Sequence, residues 1–371
     1  MNDFGKRLKN LRKNANVTQE QLAEYLGISY QAVSKWETGI GLPDISLLPR
    51  IANFFETTTD ELFGLNQKIE TDELCEYEKE YRENNRLGKT MNNIILSRKV
   101  LQKYPRNFDW MLNLAYPLLQ YEDTAEHKKY SLEHHFTEEA ISICERILRD
   151  CTSDYIRHGA IQILCINYPK VNKRDLAIKM AKEMPNMSVS KEWLLFHALE
   201  GNEKIKQAQA NLFMMIDNSA SYICLLSQMM KNELSIKERI EFIITANKLY
   251  EIVFKNEFVS DRLYQNYIEL ATLYCEDNEP EKSIENLLLA ERMAYLEIEN
   301  ENKGEQKYTS LFMNHLTYNP KNTSKNYEKN LVELLLDLLN DGIFDLIRDN
   351  EKIISLKKRL IKSVNSKYFA F

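Results

Sequence analysis

Glycine and proline are scarce in this sequence, with 10 and 8 residues among 371. An average chain carries about 7% Gly and about 5% Pro, more than twice this total. Five of the glycines (5, 27, 39, 41 and 64) fall in the first 64 residues. So little turn chemistry excludes a turn-rich all-β fold and argues against the Gly-lined phosphate loops of α/β nucleotide enzymes. The six cysteines, at 75, 144, 151, 165, 224 and 275, include no C-x-x-C pair and each sits in an apolar helical context. They read as reduced, buried thiols. The six histidines have no Cys or His partner at metal-ligand spacing, so no metal and no cofactor is expected. No apolar run approaches the ~20 residues of a membrane span. The chain is charged from Asp3 onward, unlike a signal peptide. The expectation is an all-α, cytoplasmic chain without membrane contact.

Charge of one sign is also missing where a nucleic-acid coat would need it, since the net charge is −6. Its distribution is uneven. Residues 1–50 carry seven Lys/Arg against five acids, with five of the bases (6, 7, 9, 12 and 13) clustered. A small positive patch on an acidic body suggests a separate binding head.

The first 65 residues read as five short helices. Phe4, Leu8 and Leu11 form one apolar stripe, which Ala15 continues, with Lys6, Arg7, Lys9 and Lys13 on other faces. Thr18 and Gln21 make a capping box, Leu22, Ala23 and Leu26 face inward, and Gly27 ends that helix. Ser29 opens the next, with Val33 and Trp36 inward. Its outward face presents Tyr30, Gln31, Ser34, Lys35 and Thr38, up to the break at Gly39 and Gly41. Ser46 can cap a fourth helix containing Pro49, with Ile51, Ala52 and Phe55 inward, and Thr58 and Glu61 box a short fifth. The central pair is a helix-turn-helix, whose second helix can enter a major groove about 12 Å wide.

The run TQEQLAEYLGISYQAVSKWETG, Thr18 to Gly39, resembles the lambda-repressor/Cro-like family, also called the xenobiotic-response-element type. The resemblance covers residues 4–64. It implies that Gln19 and neighbouring N–H groups hold a phosphate, and that Tyr30, Gln31 and Lys35 reach base edges. Ser34 and Thr38 would contact backbone or bases at the ends of the helix. Lys9, Thr18 and Ser29 complete the implied DNA-binding set, and Arg12 would pair with Glu37 to tie the first helix to the recognition helix. Gln31 can present a bidentate amide to adenine and Lys35 can donate to guanine.

Beyond a DNA-binding domain at 1–65, residues 66–88 read as a charged linker helix, and 89–371 as a helical body for effector binding or dimerisation. Helices are expected over 90–104, 107–121, 134–151, 153–167, 173–184, 189–200, 203–216, 219–231, 235–256, 259–276, 280–298, 306–316, 328–340 and 343–363. Segments 299–307 and 317–327 read as mobile linkers. Three helices share one small-to-apolar spacing: Ala140, Cys144, Ile147; Ala177, Ala181, Met184; and Ser283, Leu287, Ala290. That pattern resembles tetratricopeptide repeats, with a period drifting between 34 and 40 residues. It implies a helical-hairpin solenoid behind the DNA-binding head. The whole is similar to Gram-positive regulators of that build, some of which take short peptides in a concave groove. Candidate groove residues are Asn113, Tyr264, Asn266 and Tyr267; the alternative is capping or solvated Asn and core Tyr. The basic, amphipathic last helix, 351–364, reads as a cap packed on the body.

No nucleophile–base pair, carboxylate pair or phosphate loop stands out, so the sequence does not point to an enzyme. The expectation is a sequence-specific transcriptional regulator that binds double-stranded DNA at an inverted repeat as a homodimer. The alternative is an antitoxin-like or phage-type interaction protein whose body binds a protein partner and whose DNA binding is autoregulatory.

Overall fold

A computed structural model describes residues 3–63, 67–121, 125–325 and 327–368. The chain divides into two compact units, Met1–Glu80 and Tyr81–Phe371. The domain boundary expected at 65/66 lies outside the described residues.

The first unit holds α1 (Asp3–Asn14), α2 (Gln19–Leu26), α3 (Tyr30–Glu37), α4 (Leu48–Phe54) and α5 (Thr59–Phe63). One core joins them, made of Phe4, Leu8, Leu22, Ala23, Leu26, Val33, Trp36, Ile51, Ala52 and Leu62. Ala15 does not continue the stripe, because α1 ends at Asn14 and Ala15 is exposed. The fourth helix begins with a 3-10 turn, Ile45–Leu47, capped by Asp44 rather than by Ser46. The Asp44 carboxylate accepts from Ser46 N at 2.9 Å and from its hydroxyl at 2.6 Å. Thr58 and Glu61 do form the second capping box, each backbone N bonding the other's side chain at 3.1 Å.

The helix α6 (Gln67–Arg86) crosses the boundary between the units. The second unit continues with α7 (Thr90–Lys103), α8 (Phe108–Gln120), α9 (Ala125–Glu133), α10 (Phe136–Asp150) and α11 (Asp154–Asn167). Then come α12 (Arg174–Glu183), α13 (Lys191–Ala198), α14 (Gly201–Met229) and α15 (Ile236–Phe254). The series closes with α16 (Ser260–Glu276), α17 (Pro280–Lys303), α18 (Leu331–Leu338) and α19 (Glu351–Tyr368). Neighbours pair as hairpins: α7 with α8, α10 with α11, α14 with α15, and α16 with α17. Hairpins stack on one another through α8 against α10 and α15 against α16, so the body is a tetratricopeptide-like array. In two of the three helices the small residues of the shared spacing lie where helices meet, with Ala140, Cys144, Ser283 and Ala290 fully buried; in the Ala177 helix Ala181 is exposed. Two main cores result, one drawn from residues 91–180 and one from residues 212–364.

Three expectations for the body are corrected. Residues 203–216 and 219–231 are not separate helices, because α14 runs unbroken through Asp217 and Asn218. The pair reads as a polar break, but Asp217 accepts from the Tyr250 hydroxyl at 2.9 Å and from Arg262 at 3.3 Å. Residues 306–316 are not a helix. Gly304, at φ +74°, ends α17, and a short antiparallel ladder pairs β1 (Gln306–Lys307) with β2 (Thr317–Tyr318). The Glu257 carboxylate captures the backbone N–H of Thr309 at 2.8 Å and of Ser310 at 3.2 Å, donors a helix would have used differently. Segment 299–307 is not a linker throughout, since α17 extends to Lys303 with Asn300 buried and a Lys303–Glu299 pair at 2.7 Å. α9 falls outside the expected helices; His127 stacks on Tyr121 and His134 on Tyr130, at 4.4 and 3.8 Å. The last helix packs on the body as a cap: Ile353, Leu356 and Leu360 are buried and Arg359 grips Glu291 at 2.6 Å.

Candidate nucleic-acid interface

The surface that matters is built on α2, the turn after it, and α3. Thr18 N bonds Gln21 Oε1 at 2.8 Å and Gln21 N bonds Thr18 Oγ1 at 3.2 Å, which fixes the start of α2. Gly27 ends it at φ +72°, and Ile28 N returns to Ala23 O at 3.0 Å. Only glycine enters that left-handed conformation without steric cost, so the turn angle between the helices is set there. Ser29 occupies the N-cap position of α3, but its hydroxyl makes no capping bond to the helix.

Val33 and Trp36 anchor α3 in the core. Glu37, one position on, is buried with only 2% of its side chain exposed. It accepts a forked pair from Arg12, Nε at 2.5 Å and Nη2 at 3.0 Å, and a third bond from Gln19 Nε2 at 2.8 Å. Arg12 also donates to Val17 O at 2.8 Å. One carboxylate thus ties α1, α2 and α3 together. Burial pushes the Glu37 carboxyl up, but the bonds from Arg12 and Gln19 outweigh it and hold it below the usual carboxylate range.

Sequence reasoning missed three supports. Gly5 lets α1 lie against the end of α3, since a Cβ there would meet Trp36 O at 2.3 Å. Arg50 donates to Tyr25 O at 2.7 Å and Leu26 O at 3.2 Å, satisfying the carbonyls at the end of α2. Asp44 is the third. Close backbone approach and long-range capping leave no local pattern, so only Asp44, two residues before Ser46, was within reach of the sequence.

Of the expected interface residues, Tyr30, Gln31 and Lys35 are exposed on α3, with Tyr30 half out of the protein. Ser34 is partly covered, and Lys9, Thr18 and Ser29 are exposed. The Gln19 amide spends one hydrogen on Glu37. The Thr38 hydroxyl folds back onto Ser34 O and Lys35 O at 2.9 and 3.2 Å. Its proton is therefore committed to the helix, which leaves it only as an acceptor.

The four groove candidates do not form one free surface. Tyr264 is 3% exposed inside the larger core. Tyr267 packs against that core, and Asn266 is buried with its amide on Asn247 at 2.8 Å. Asn113 lies on the second helix of its hairpin, not the first, and its carbonyl accepts from Tyr81 at 2.8 Å and Ser97 at 3.2 Å.

A helix-turn-helix family profile matches residues 8–62. The transcriptional activator BcrR of Enterococcus faecalis is 46% identical over 67 residues, 18% of this chain and 33% of its own. The prophage-derived regulator YonR of Bacillus subtilis is 35% identical over 72 residues, 19% of this chain and 67% of its own. The phage CTXphi repressor RstR of Vibrio cholerae is 44% identical over 68 residues, 18% of this chain and 61% of its own. The chain thus spans a third to two thirds of these relatives, and none of these matches covers the helical body. Bacillus thuringiensis PlcR, solved in complex with the peptide PapR7 and DNA, aligns with 82% of this chain and 98% of its own. Its identity is 13% and its TM-score 0.35, too low to carry an argument. Through its first unit the chain belongs to the lambda-repressor/Cro-like helix-turn-helix family of transcriptional regulators.

Proposed function

We propose that this protein regulates transcription by reading double-stranded DNA, with α3 in the major groove. The observation that carries the proposal is the clamp of Glu37 on Arg12 and Gln19, which fixes α3 from behind while Tyr30, Gln31 and Lys35 remain exposed in front. Gln31 reads an adenine edge, Lys35 donates to guanine, and Tyr30 packs on a thymine methyl or a phosphate. Gln19 has a second amide hydrogen for a phosphate, and the first N–H groups of α3 offer the positive end of a helix beside Ser29.

The body serves self-association in this reading. Tyr222, Leu225, Leu226 and Met229 form one stripe on α14 and are all exposed, Met229 to 77%. An apolar stripe of this kind marks an interaction surface. A second copy seated there gives a homodimer, which would present two recognition helices about 34 Å apart to an inverted repeat. The alternative occupant is a different protein, which would make the chain an interaction protein with autoregulatory DNA binding.

Selection of genomic fragments by the purified chain, run beside sedimentation of the free protein, tests the reading. Enrichment of one inverted repeat by a dimer supports it. Enrichment of nothing above background overturns the DNA reading, and a monomer at micromolar concentration turns the stripe over to a foreign partner.

A further inference from the structure

A cavity lies away from α14's stripe, between α16, α17, the β1–β2 ladder and the segment leading to α18. It has a volume of about 470 Å³, which falls within the roughly 300–1,000 Å³ typical of small-molecule sites. Its apolar wall is aromatic. Phe258 and Tyr318 stack face to face, with centroids 4.6 Å apart and planes 4° from parallel. Tyr308 stands edge-on to Phe258 at 4.8 Å. Burial pushes the Tyr308 phenol up to about 12 and raises that of Tyr318 further, so both rings stay neutral.

The polar wall is unevenly matched. Arg262 is held between Asp217, at 3.3 Å, and Asp261. Lys325 is paired with Glu301. Glu297 is the carboxylate left over. Among the described residues it has one hydrogen-bond partner, the buried Ser260 hydroxyl at 2.6 Å, and no ion pair. Burial pushes the Glu297 carboxyl up, and the cation that acts on it, Lys325, is itself paired with Glu301, so a further positive group beside it would stabilise its charged form. Both cations in the wall already have acids, so an anionic ligand would meet no free positive charge. A cation would meet Glu297 and the faces of the aromatic rings together, the two attractions that bind organic ammonium groups.

We propose that this cavity binds a small organic cation, a protonated amine on a flat or apolar body, with Glu297 pairing the ammonium and Phe258, Tyr308 and Tyr318 enclosing the rest. Every residue of the site belongs to the second unit. Calorimetry on the full chain in the absence of DNA tests it with tyramine and cadaverine. The controls are 4-ethylphenol, which keeps the ring but has no charge, and 4-hydroxyphenylacetate, which reverses it. Tyramine is expected to bind with a Kd below about 1 mM, and the neutral and anionic controls not to bind. Glu297→Gln is expected to weaken tyramine by about tenfold or more. Tyr318→Leu, which keeps an apolar side chain but removes the stacked ring, should weaken it as well and serves if the first variant folds poorly. No heat from either amine, equal binding of 4-ethylphenol, or unchanged tyramine affinity in both variants would overturn the proposal. DNA selection by the same preparation reports separately on the regulator reading.

Discussion

Replacing Glu37 with Gln should loosen the DNA-binding head more than any other single change to a charged residue in it. The carboxylate is nearly sealed from water, and so is most of the Arg12 side chain, with 2% and 13% exposed. The substitution removes the charge that balances Arg12 and weakens the forked pair and the Gln19 bond with it. Breaking a buried pair from one side costs about 3–5 kcal/mol, because the remaining charge stays in place without its partner. A unit of 80 residues has a total stability of roughly 4–12 kcal/mol at about 0.05–0.15 kcal/mol per residue. The loss is therefore a large share of what holds the head together. Amide hydrogen exchange on the full chain resolves the head from the body. Protection of α1 and α3 should fall by two orders of magnitude or more, each factor of ten being about 1.4 kcal/mol, while α10 and α16 stay unchanged. The double variant Arg12→Met/Glu37→Leu should recover much of the loss, since a packed apolar pair replaces a broken ionic one. Acid gives a second check. The folded pKa of Glu37 lies below its unfolded value. Its contribution is therefore complete above the unfolded value and lost as pH falls through the folded one. Wild-type protection should drop across that acid window, and the Gln variant should lack this drop. Unchanged protection in Glu37→Gln, or a double variant as unstable as the sum of its parts, would refute the reasoning.

Other changes probe other links. Gly5→Ala should push α1 off the end of α3 and cost about 1–3 kcal/mol through overpacking, read by the same exchange experiment at α1. Gly27→Ala meets open space, so its cost is only the left-handed backbone, about 1 kcal/mol. A larger loss in thermal unfolding would mean the turn does more than set an angle. Leu226→Asp on the α14 stripe should shift the sedimenting species from dimer to monomer without altering helicity by circular dichroism. A dimer that persists would place the interface elsewhere.

Most of the head was legible in the sequence because its signals are local. Thr18 with Gln21, Gly27, and Thr58 with Glu61 each act within four residues, and the structure forms all of them. The Arg12–Glu37 pair spans 25 positions and came only through the family resemblance. What escaped was set by contacts distant in sequence. Arg50 reaches back to the end of α2, and Gly5 faces the backbone of Trp36 and Glu37. In the body, hairpin periodicity was visible, but tertiary partners decided continuity. Asp217 stays helical because Tyr250 and Arg262 hold it, and Glu257 turns 306–316 away from helix. A Tyr or Asn on a helix likewise gives no sign of which face the neighbouring hairpin covers, and Tyr264 is core.

The central claim is that α3 reads bases while Glu37 only holds it. Binding of wild type, Gln31→Ala and Lys35→Ala to the selected site and to every single-base variant of it tests that claim most directly. Losses of about 1–3 kcal/mol are expected, confined to particular base pairs and different for the two variants. Equal losses on every sequence, or none, would contradict it.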